Sequence, residues 1–336
     1  MLAEAFSKLT DKKDLTSEEA VAAMREIMSG GVSDSLLAGF LVALRAKGET
    51  AEEIAAFARV LREQGTRIRT RRVNVVDTCG TGGDGKGTFN VSTAAAIIAA
   101  GAGVAVAKHG NRAVSSSCGS ADVLEALGLR LDLSPEKVGT ILDEIGITFL
   151  FAPQMHSAMR HAAKVRKELG IRTVFNILGP LANPANAKRQ LLGVYRADIG
   201  QRMAEALRDL GSEHALIVHG EGGVDEVTAT GKTLAWELLE GKIRHFTIEN
   251  VGLGLSQHKN SDIRGSDPQT NAAIIRSILD GKPGAPREIA LLNAASAILV
   301  SGKTPSMSEG VKMATDSVDS GRASTKLKDW IAASKS

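Results

Sequence analysis

The sequence predicts an α/β protein with a largely parallel sheet, entered through a small helical unit, and two patterns predict it. Over residues 16–65 apolar residues recur at helical spacing between glycine stops; beyond a basic stretch, short β-like runs alternate with helical ones to about residue 219. A chain of 336 residues, 43% hydrophobic and 24% charged, is long enough to bury a full core in one large or two moderate domains, and nothing in it suggests disorder or a fibrous repeat.

The elements follow in order. Residues 1–15 carry Glu4, Lys8, Asp11, Lys12 and Lys13 without an apolar run, so they are not a secretory signal. In the helical unit Gly30, Gly31, Gly48 and Gly65 act as stops, and Ile54, Phe57, Ala58 and Leu61 share a helix face. Thr16 with Glu19, and Thr50 with Glu53, have capping-box spacing, in which each side chain satisfies an otherwise unpaired backbone N–H. Arg67, Arg69, Arg71 and Arg72 read as a solvated linker. Strands are then expected over residues 73–77, 104–107, 129–133 and 147–151, with helices over 92–100, from the segment 115–122 that opens one to Gly128, and after Ser134-Pro135. Residues 155–169 predict a polar, basic helix ended by Gly170, followed by a proline-punctuated stretch over 175–184. Alternation resumes with a strand at 191–195, a helix at 203–210 and a strand at 215–219; a β-rich stretch beyond Val227 leads to helices near 271–279 and 288–300.

Composition excludes several function classes. The net charge is +3, from 41 basic and 38 acidic residues of interspersed sign, and aromatic residues make up 3%, which argues against a nucleic-acid partner. Cys79 and Cys118 cannot form a disulfide framework and lack paired metal-ligand spacing, which fits a reducing cytoplasm. Apolar stretches are too short or too glycine-rich to span a bilayer, so no membrane insertion is expected.

The most informative segment runs from Asp77 through Gly80, Gly82, Gly83, Asp84, Gly85 and Gly87 to Asn90, Val91, Ser92 and Thr93, between a strand and a helix. Glycines let the backbone approach a ligand and turn N–H groups toward an anion, assisted by the helix N-terminus, so phosphate binding is the natural reading. Two familiar patterns match by accident. Gly80, Gly82 and Gly85 spell GxGxxG, yet the next strand ends in Lys108-His109 where a dinucleotide fold wants a carboxylate. Gly80 through Lys86 imitates a P-loop, but Gly87 stands where a metal-ligating hydroxyl is required. The next strand ends in Lys108, His109, Gly110, Asn111 and Arg112, followed by Ala113, Val114, Ser115 and Ser116 and by Ser120 opening a helix. Cations, amide and hydroxyls outside the carboxyl end of a strand imply a second anion subsite.

Gly80-Thr-Gly-Gly-Asp84, Asn90-x-Ser-Thr93, Lys108-His-Gly-Asn-Arg112, Gly119-Ser-Ala-Asp122, Arg166 to Thr173, Asn176-x-x-Gly-Pro-Leu181, and His219-Gly with Asp225-Glu226 together resemble the anthranilate phosphoribosyltransferase family, over essentially the whole chain. The resemblance implies the nucleoside phosphorylase and phosphoribosyltransferase type of fold: a small helical domain, residues 1–72 joined by about 160–184, beside a larger α/β domain of residues 73–159 and 185–336, with a cleft at the hinge. It implies transfer of the phosphoribosyl group of phosphoribosyl pyrophosphate (PRPP) to the amine of anthranilate in tryptophan biosynthesis, with Mg²⁺ as cofactor, in a cytoplasmic homodimer. By residue-wise carry-over, PRPP would meet Gly80, Gly83, Asp84, Thr88, Asn90, Val91, Ser92, Thr93, the run Lys108, His109, Gly110, Asn111, Arg112, Ala113, Val114, Ser115 and Ser116, and Ser120. Anthranilate would meet Gly80, Asn111 and Arg166, and Mg²⁺ would meet Ser92, Asp225 and Glu226. Hard oxygen ligands suit Mg²⁺, and a planar guanidinium suits a carboxylate. Lys86 and Cys118 stand where variation is expected, and neither His109 nor His156 is assigned a catalytic role. A pyrimidine nucleoside phosphorylase-like enzyme, or a non-catalytic nucleic-acid-binding relative, is the alternative reading.

Overall fold

The computed structural model describes residues 1–113 and 117–336. Four helices open the chain: α1 Leu2–Thr10, α2 Ser17–Ser29, α3 Asp34–Lys47 and α4 Ala51–Gln64. Both capping boxes form, with Thr16 accepting from the Glu19 N–H and Thr50 from the Glu53 N–H. Glu53 is fully buried, and its carboxylate also accepts from the Leu15 N–H at 2.9 Å and pairs with Lys47 at 2.9 Å, so its charge is compensated. α1 precedes the first expected helix and buries Leu2, Ala5 and Leu9, a spacing that keeps all three on one face.

The α/β region follows: β1 Val76–Gly80, α5 Val91–Gly101, β2 Val106–Gly110, α6 Ser120–Leu127, α7 Pro135–Ile145, β3 Ile147–Phe151, α8 Ala152–Met155, α9 Arg160–Leu169, α10 Phe175–Leu178, β4 Arg189–Gly193, α11 Gly200–Asp209, β5 His214–Gly220, β6 Lys232–Leu239, β7 Lys242–Glu249, α12 Pro268–Leu279, α13 Ala285–Val300, α14 Met307–Asp319 and α15 Arg322–Lys335. The sheet order is β3-β2-β1-β4-β5-β6-β7. The first five strands are parallel, and β6 and β7 add antiparallel at one edge. On β5, Leu216 and Val218 face a core shared with α5, α13 and α15, whereas Ala215 and Ile217 face a second core shared with α11 and the N-terminal helices. A strand buried on both faces reads as an unbroken apolar run, as this one does. The second core continues through Phe40, Phe57 and Leu61 to Ala162 and Val165 of α9 and to α10, so the middle helices pack on the helical side of the molecule.

Four details depart from expectation. Residues 129–133 belong to no strand: Leu129 and Leu131 are buried, while the Leu129 N–H bonds to Leu124 O and the Arg130 N–H to Ser334 Oγ. Period-2 burial there reflects packing between helices, without a ladder partner. The helix expected over 155–169 is broken at His156, whose φ of −127° takes it out of helical geometry while its Nε2 meets Ala182 O at 2.9 Å. β1 and β2 begin two or three residues late, because Asn74 has φ 53° and because the Val104 N–H still closes the turn out of α5 on Ala99 O. Finally, α14 and α15 extend the chain beyond the last expected helix, and Ala314, Val318 and Trp330 join the first core.

Glu237 on β6 ties the antiparallel edge together. It is 2% exposed, meets His214 Nε2 of β5 at 2.8 Å and accepts from Arg244 of β7. Burial alone would raise its pKa, but the bonds from His214 and Arg244 outweigh burial and hold it below the ordinary value. A depressed folded-state value contributes stability above the unfolded-state value, and this is lost as pH falls through the folded one. Glu237→Gln should therefore cost about 2 kcal/mol at pH 7, the scale of hydrogen bonds to a charged group. In parallel urea titrations of the two proteins the difference should close as pH falls below the usual glutamate range; a difference independent of pH would disprove the assignment.

Candidate active site

In the strand order, β2 and β3 lie on one side of β1 and β4 and β5 on the other, so the connections diverge between β1 and β4. At such a point the loops leaving the two strands open a crevice at their carboxyl ends, where open α/β sheets bind ligands. The glycine-rich loop leaves β1 there. Gly82, Gly83, Gly85 and Gly87 have φ between 64° and 71°, a region costly for other residues. At Gly80 the reason is different: a Cβ there would lie 2.5 Å from Asp225 Oδ2, so any side chain would displace that carboxylate. The root of the loop is tied to β4 by Thr81 N–H to Gly193 O at 2.9 Å and by Tyr195 N–H to Thr81 Oγ1 at 3.1 Å.

Asp225 and Glu226, on the turn after β5, face this loop. Asp225 Oδ2 accepts from the Gly82 N–H at 2.8 Å, and Glu226 Oε1 accepts from the Ser92 N–H at the start of α5 at 3.2 Å. Donors suited to an anion are thus engaged by two carboxylates that are themselves partly buried. Burial, reinforced by the nearby Asp84 carboxylate, pushes Asp225 up to about 6. Glu226 is raised well above its ordinary value by burial and by Asp225, with Lys108 opposing. Asp84 Oδ1 accepts from the Lys86 N–H, while its Oδ2 is buried with no partner among the described residues. A carboxylate, Asp84, that raises the pKa of both Asp225 and Glu226, together with its own unpartnered oxygen, is what a divalent cation would relieve. No three His, Cys, Asp or Glu side chains among the described residues form a ready-made cage. That suits Mg²⁺, which takes one or two protein carboxylates and completes its shell with phosphate oxygens and water.

Lys108 lies beneath the loop, 1% exposed, its Nζ donating to Thr78 O at 2.5 Å and to Ser92 Oγ at 3.0 Å. Burial lowers its pKa, and Asp77, Cys79, Glu226 and Asp225 counter that effect. His109 is also buried. Its N–H donates to Asp77 Oδ1, its Nδ1 meets Gly179 O at 3.1 Å, and its ring contacts that of His156 with centroids 5.2 Å apart. Burial and the neighbouring His156 push His109 down to about 3, so the ring is neutral at physiological pH.

Beyond β2, Asn111 Oδ1 accepts from the Arg112 N–H, and Asp122 of α6 accepts from the Ala113 and Gly119 N–H groups, folding the loop onto the helix that Ser120 opens. Arg112 is gripped by both oxygens of Glu125 and by Asp122, which engage its Nη1 and Nη2 and hold the guanidinium against α6. Val114, Ser115 and Ser116 lie outside the described residues. Asn90 turns its side chain away from the cap position of α5: Nδ2 donates to Cys118 O, and Oδ1 accepts from Asn271 Nδ2 at 2.9 Å. Val91 and Thr93 are buried at the start of α5, and Thr88 pairs with Arg264 in a short antiparallel bridge beside the loop. Arg166 stands apart on α9, half-buried, 5.4 Å over the Phe175 ring, without a hydrogen bond or ion pair among the described residues. Burial lowers its pKa.

Direct contacts therefore unite Gly80, Gly82, Ser92, Lys108, Asp225 and Glu226, while Arg112 is held by acidic partners and Arg166 waits on the helical side. Sequence reasoning passed over Gly193, Asn271 and Asn293. Gly193 ends an apolar strand, and Asn293 interrupts an apolar helix, so each left a trace only as an odd residue in a regular pattern.

A helical bundle packed against an α/β layer, with a glycine loop and carboxylates at the switch point, is the architecture of a glycosyl transferase family. The chain matches the helical bundle domain of that family over residues 3–65 and its a/b domain over residues 72–324. It is 51% identical to an anthranilate phosphoribosyltransferase of Methanocorpusculum labreanum, over 98% of this chain and 97% of that protein. The structure of the anthranilate phosphoribosyltransferase from Thermus thermophilus superposes with a TM-score of 0.94 at 46% identity, covering 99% of each chain. That of the Saccharomyces cerevisiae enzyme in complex with PRPP and Mg superposes with a TM-score of 0.92 at 32% identity, covering 99% of this chain and 98% of that one. The chain belongs to the anthranilate phosphoribosyltransferase family.

Proposed function

We propose that this site transfers the phosphoribosyl group of PRPP to the amine of anthranilate, giving N-(5-phosphoribosyl)anthranilate and pyrophosphate, as a step of tryptophan biosynthesis. The observation that carries the reading is the pair Asp225 and Glu226, held against the glycine loop and the first turn of α5 by N–H groups of Gly82 and Ser92. Mg²⁺ fits there: the donors are the hard oxygens of Asp225, Glu226 and Ser92, and bound Mg²⁺ supplies positive charge to the pyrophosphate as the glycosidic bond breaks.

The protein's own residues supply position. Gly80, Gly83, Asp84, Thr88, Asn90, Val91, Ser92, Thr93 and Ser120, with residues 108–116, form the PRPP cradle in this reading. Lys108, locked under Ser92, stands close enough to Glu226 to oppose the rise in that carboxyl's pKa. The aromatic amine of anthranilate is neutral near pH 7, so no strong general base is needed, and orientation can carry much of the rate. His109, neutral and bonded to Gly179 O, fits a packing role better than proton transfer.

Gly80, Asn111 and Arg166 orient anthranilate, with the uncommitted fork of Arg166 accepting the carboxylate. Arg166→Ala should raise the anthranilate KM at least about 10-fold, the loss of roughly one charged hydrogen bond, and leave that for PRPP nearly unchanged. Equal changes in both constants would remove the role. In support of the two-body division given above, α9 and α10 share the core of the N-terminal helices. Two cysteines, Cys79 and Cys118, both buried, accord with the cytoplasm, and the homodimer is carried by the family resemblance. Among the described residues no helix is long and apolar enough to cross a membrane.

The reading is tested by following anthranilate fluorescence with PRPP and Mg²⁺, omitting each in turn. Loss of anthranilate that requires both, with equimolar pyrophosphate, is the expected result; folded protein that consumes none would overturn it.

A further inference from the structure

α13 is the central helix of the first core, and every residue from Ile289 to Val300 is buried. Asn293 interrupts that apolar surface and is fully buried itself. A buried amide is costly unless its bonds are made, and here two of the three go to a single residue of another element. Asn293 Oδ1 accepts from the Val227 N–H at 2.9 Å, and its Nδ2 donates to Val227 O at 2.8 Å and to Ile289 O at 2.8 Å. The side chain thus meets the Val227 peptide groups as a neighbouring strand would, at a buried residue directly after Asp225-Glu226. The same turn is fixed on another side by Gly193, where a Cβ would lie 1.6 Å from Asp225 O, and is closed upon itself by the Gly220 N–H bonding to Val224 O at 2.8 Å.

We infer that Asn293 is a positioning residue for the carboxylate turn: it holds the Asp225-Glu226 backbone from behind, so that both side chains present their oxygens to the glycine loop and to Mg²⁺. The inference rests on the Mg²⁺-dependent reading above. Partners that orient metal-binding groups without touching the metal commonly change metal affinity by about 10- to 100-fold. Asn293→Leu keeps the branching and the number of side-chain heavy atoms and removes the clamp.

The test measures turnover against Mg²⁺ concentration for wild type and N293L at fixed PRPP and anthranilate, together with hydrogen exchange of the peptide spanning residues 220–228. The expected result is a rise of about 10-fold or more in half-saturating Mg²⁺, partial rescue at high Mg²⁺, faster exchange in that peptide, and an anthranilate KM within about twofold of wild type. Unchanged Mg²⁺ dependence in a folded variant, unchanged exchange, or a loss that Mg²⁺ does not rescue would overturn the inference. N293D, which keeps the acceptor for the Val227 N–H, is read in the same way if N293L does not fold; failure of both to fold makes Asn293 a folding residue and also overturns it. Wild-type turnover that ignores Mg²⁺ would instead sink the functional reading, so the two failures are distinguishable.

Discussion

Glu226→Gln should lower kcat about 100- to 1000-fold, the usual effect of losing one group that stabilises developing charge, while making the ligand-free protein more stable. The amide can still accept from the Ser92 N–H, so the turn should survive. What disappears is a carboxyl group whose pKa is raised well above its ordinary value by burial and by Asp225. A raised folded-state value means the ionised group opposes folding above its unfolded-state pKa, so its neutral replacement should raise Tm at pH 7 in the absence of Mg²⁺. The opposed signs are the diagnostic, because a site that binds a cation tolerates repulsion that folding alone would remove. Turnover with saturating substrates, beside thermal melts with and without Mg²⁺, checks both halves. Retained kcat would eliminate Glu226 from the metal site.

Gly193→Ala should be more disruptive than any alanine placed in the glycine loop itself. Its Cβ would fall 1.6 Å from the backbone oxygen of Asp225, an obstacle that no rotamer change removes, so β4 and the carboxylate turn would have to separate. Overpacking of this kind costs about 1–3 kcal/mol and sometimes more, and here the strain also moves Asp225 off the Gly82 N–H. Gly82→Ala provides the contrast: φ is 66° and nothing lies within 4 Å, so only the left-handed backbone penalty of roughly 1–2 kcal/mol applies. Urea denaturation of both variants should rank Gly193→Ala as the less stable, with little turnover remaining. The reverse ranking would show that β4 and the turn can part without cost.

The sequence carried its clearest information where a residue's role is local. Thr16 and Thr50 cap as their spacing requires, Gly30, Gly128, Gly146 and Gly170 end helices in left-handed conformations, and the glycine loop appears between a strand and a helix. Each depends on bonds within a few residues or on a backbone angle only glycine adopts readily. Misreadings arose where a local pattern had a distant cause. Leu129 and Leu131 alternate like a strand because they pack between helices, and His156 leaves the helix because Ala182 O draws its ring away.

The sequence by itself determined the α/β class, the phosphate-type loop and, through the resemblance of its motifs, the family. Tertiary structure alone decided which charges are available. Arg112 is held by Glu125 and Asp122, Lys108 is buried beneath Ser92, Arg166 has no hydrogen bond or ion pair among the described residues, and Asn293 reaches Val227 across 66 positions of chain. The physical reason is that a side chain's charge and hydrogen-bonding capacity are properties of its type, whereas burial and partners depend on the groups folding brings beside it. Two arginines that look alike in the sequence differ because acidic residues of a neighbouring helix meet one and an aromatic ring meets the other.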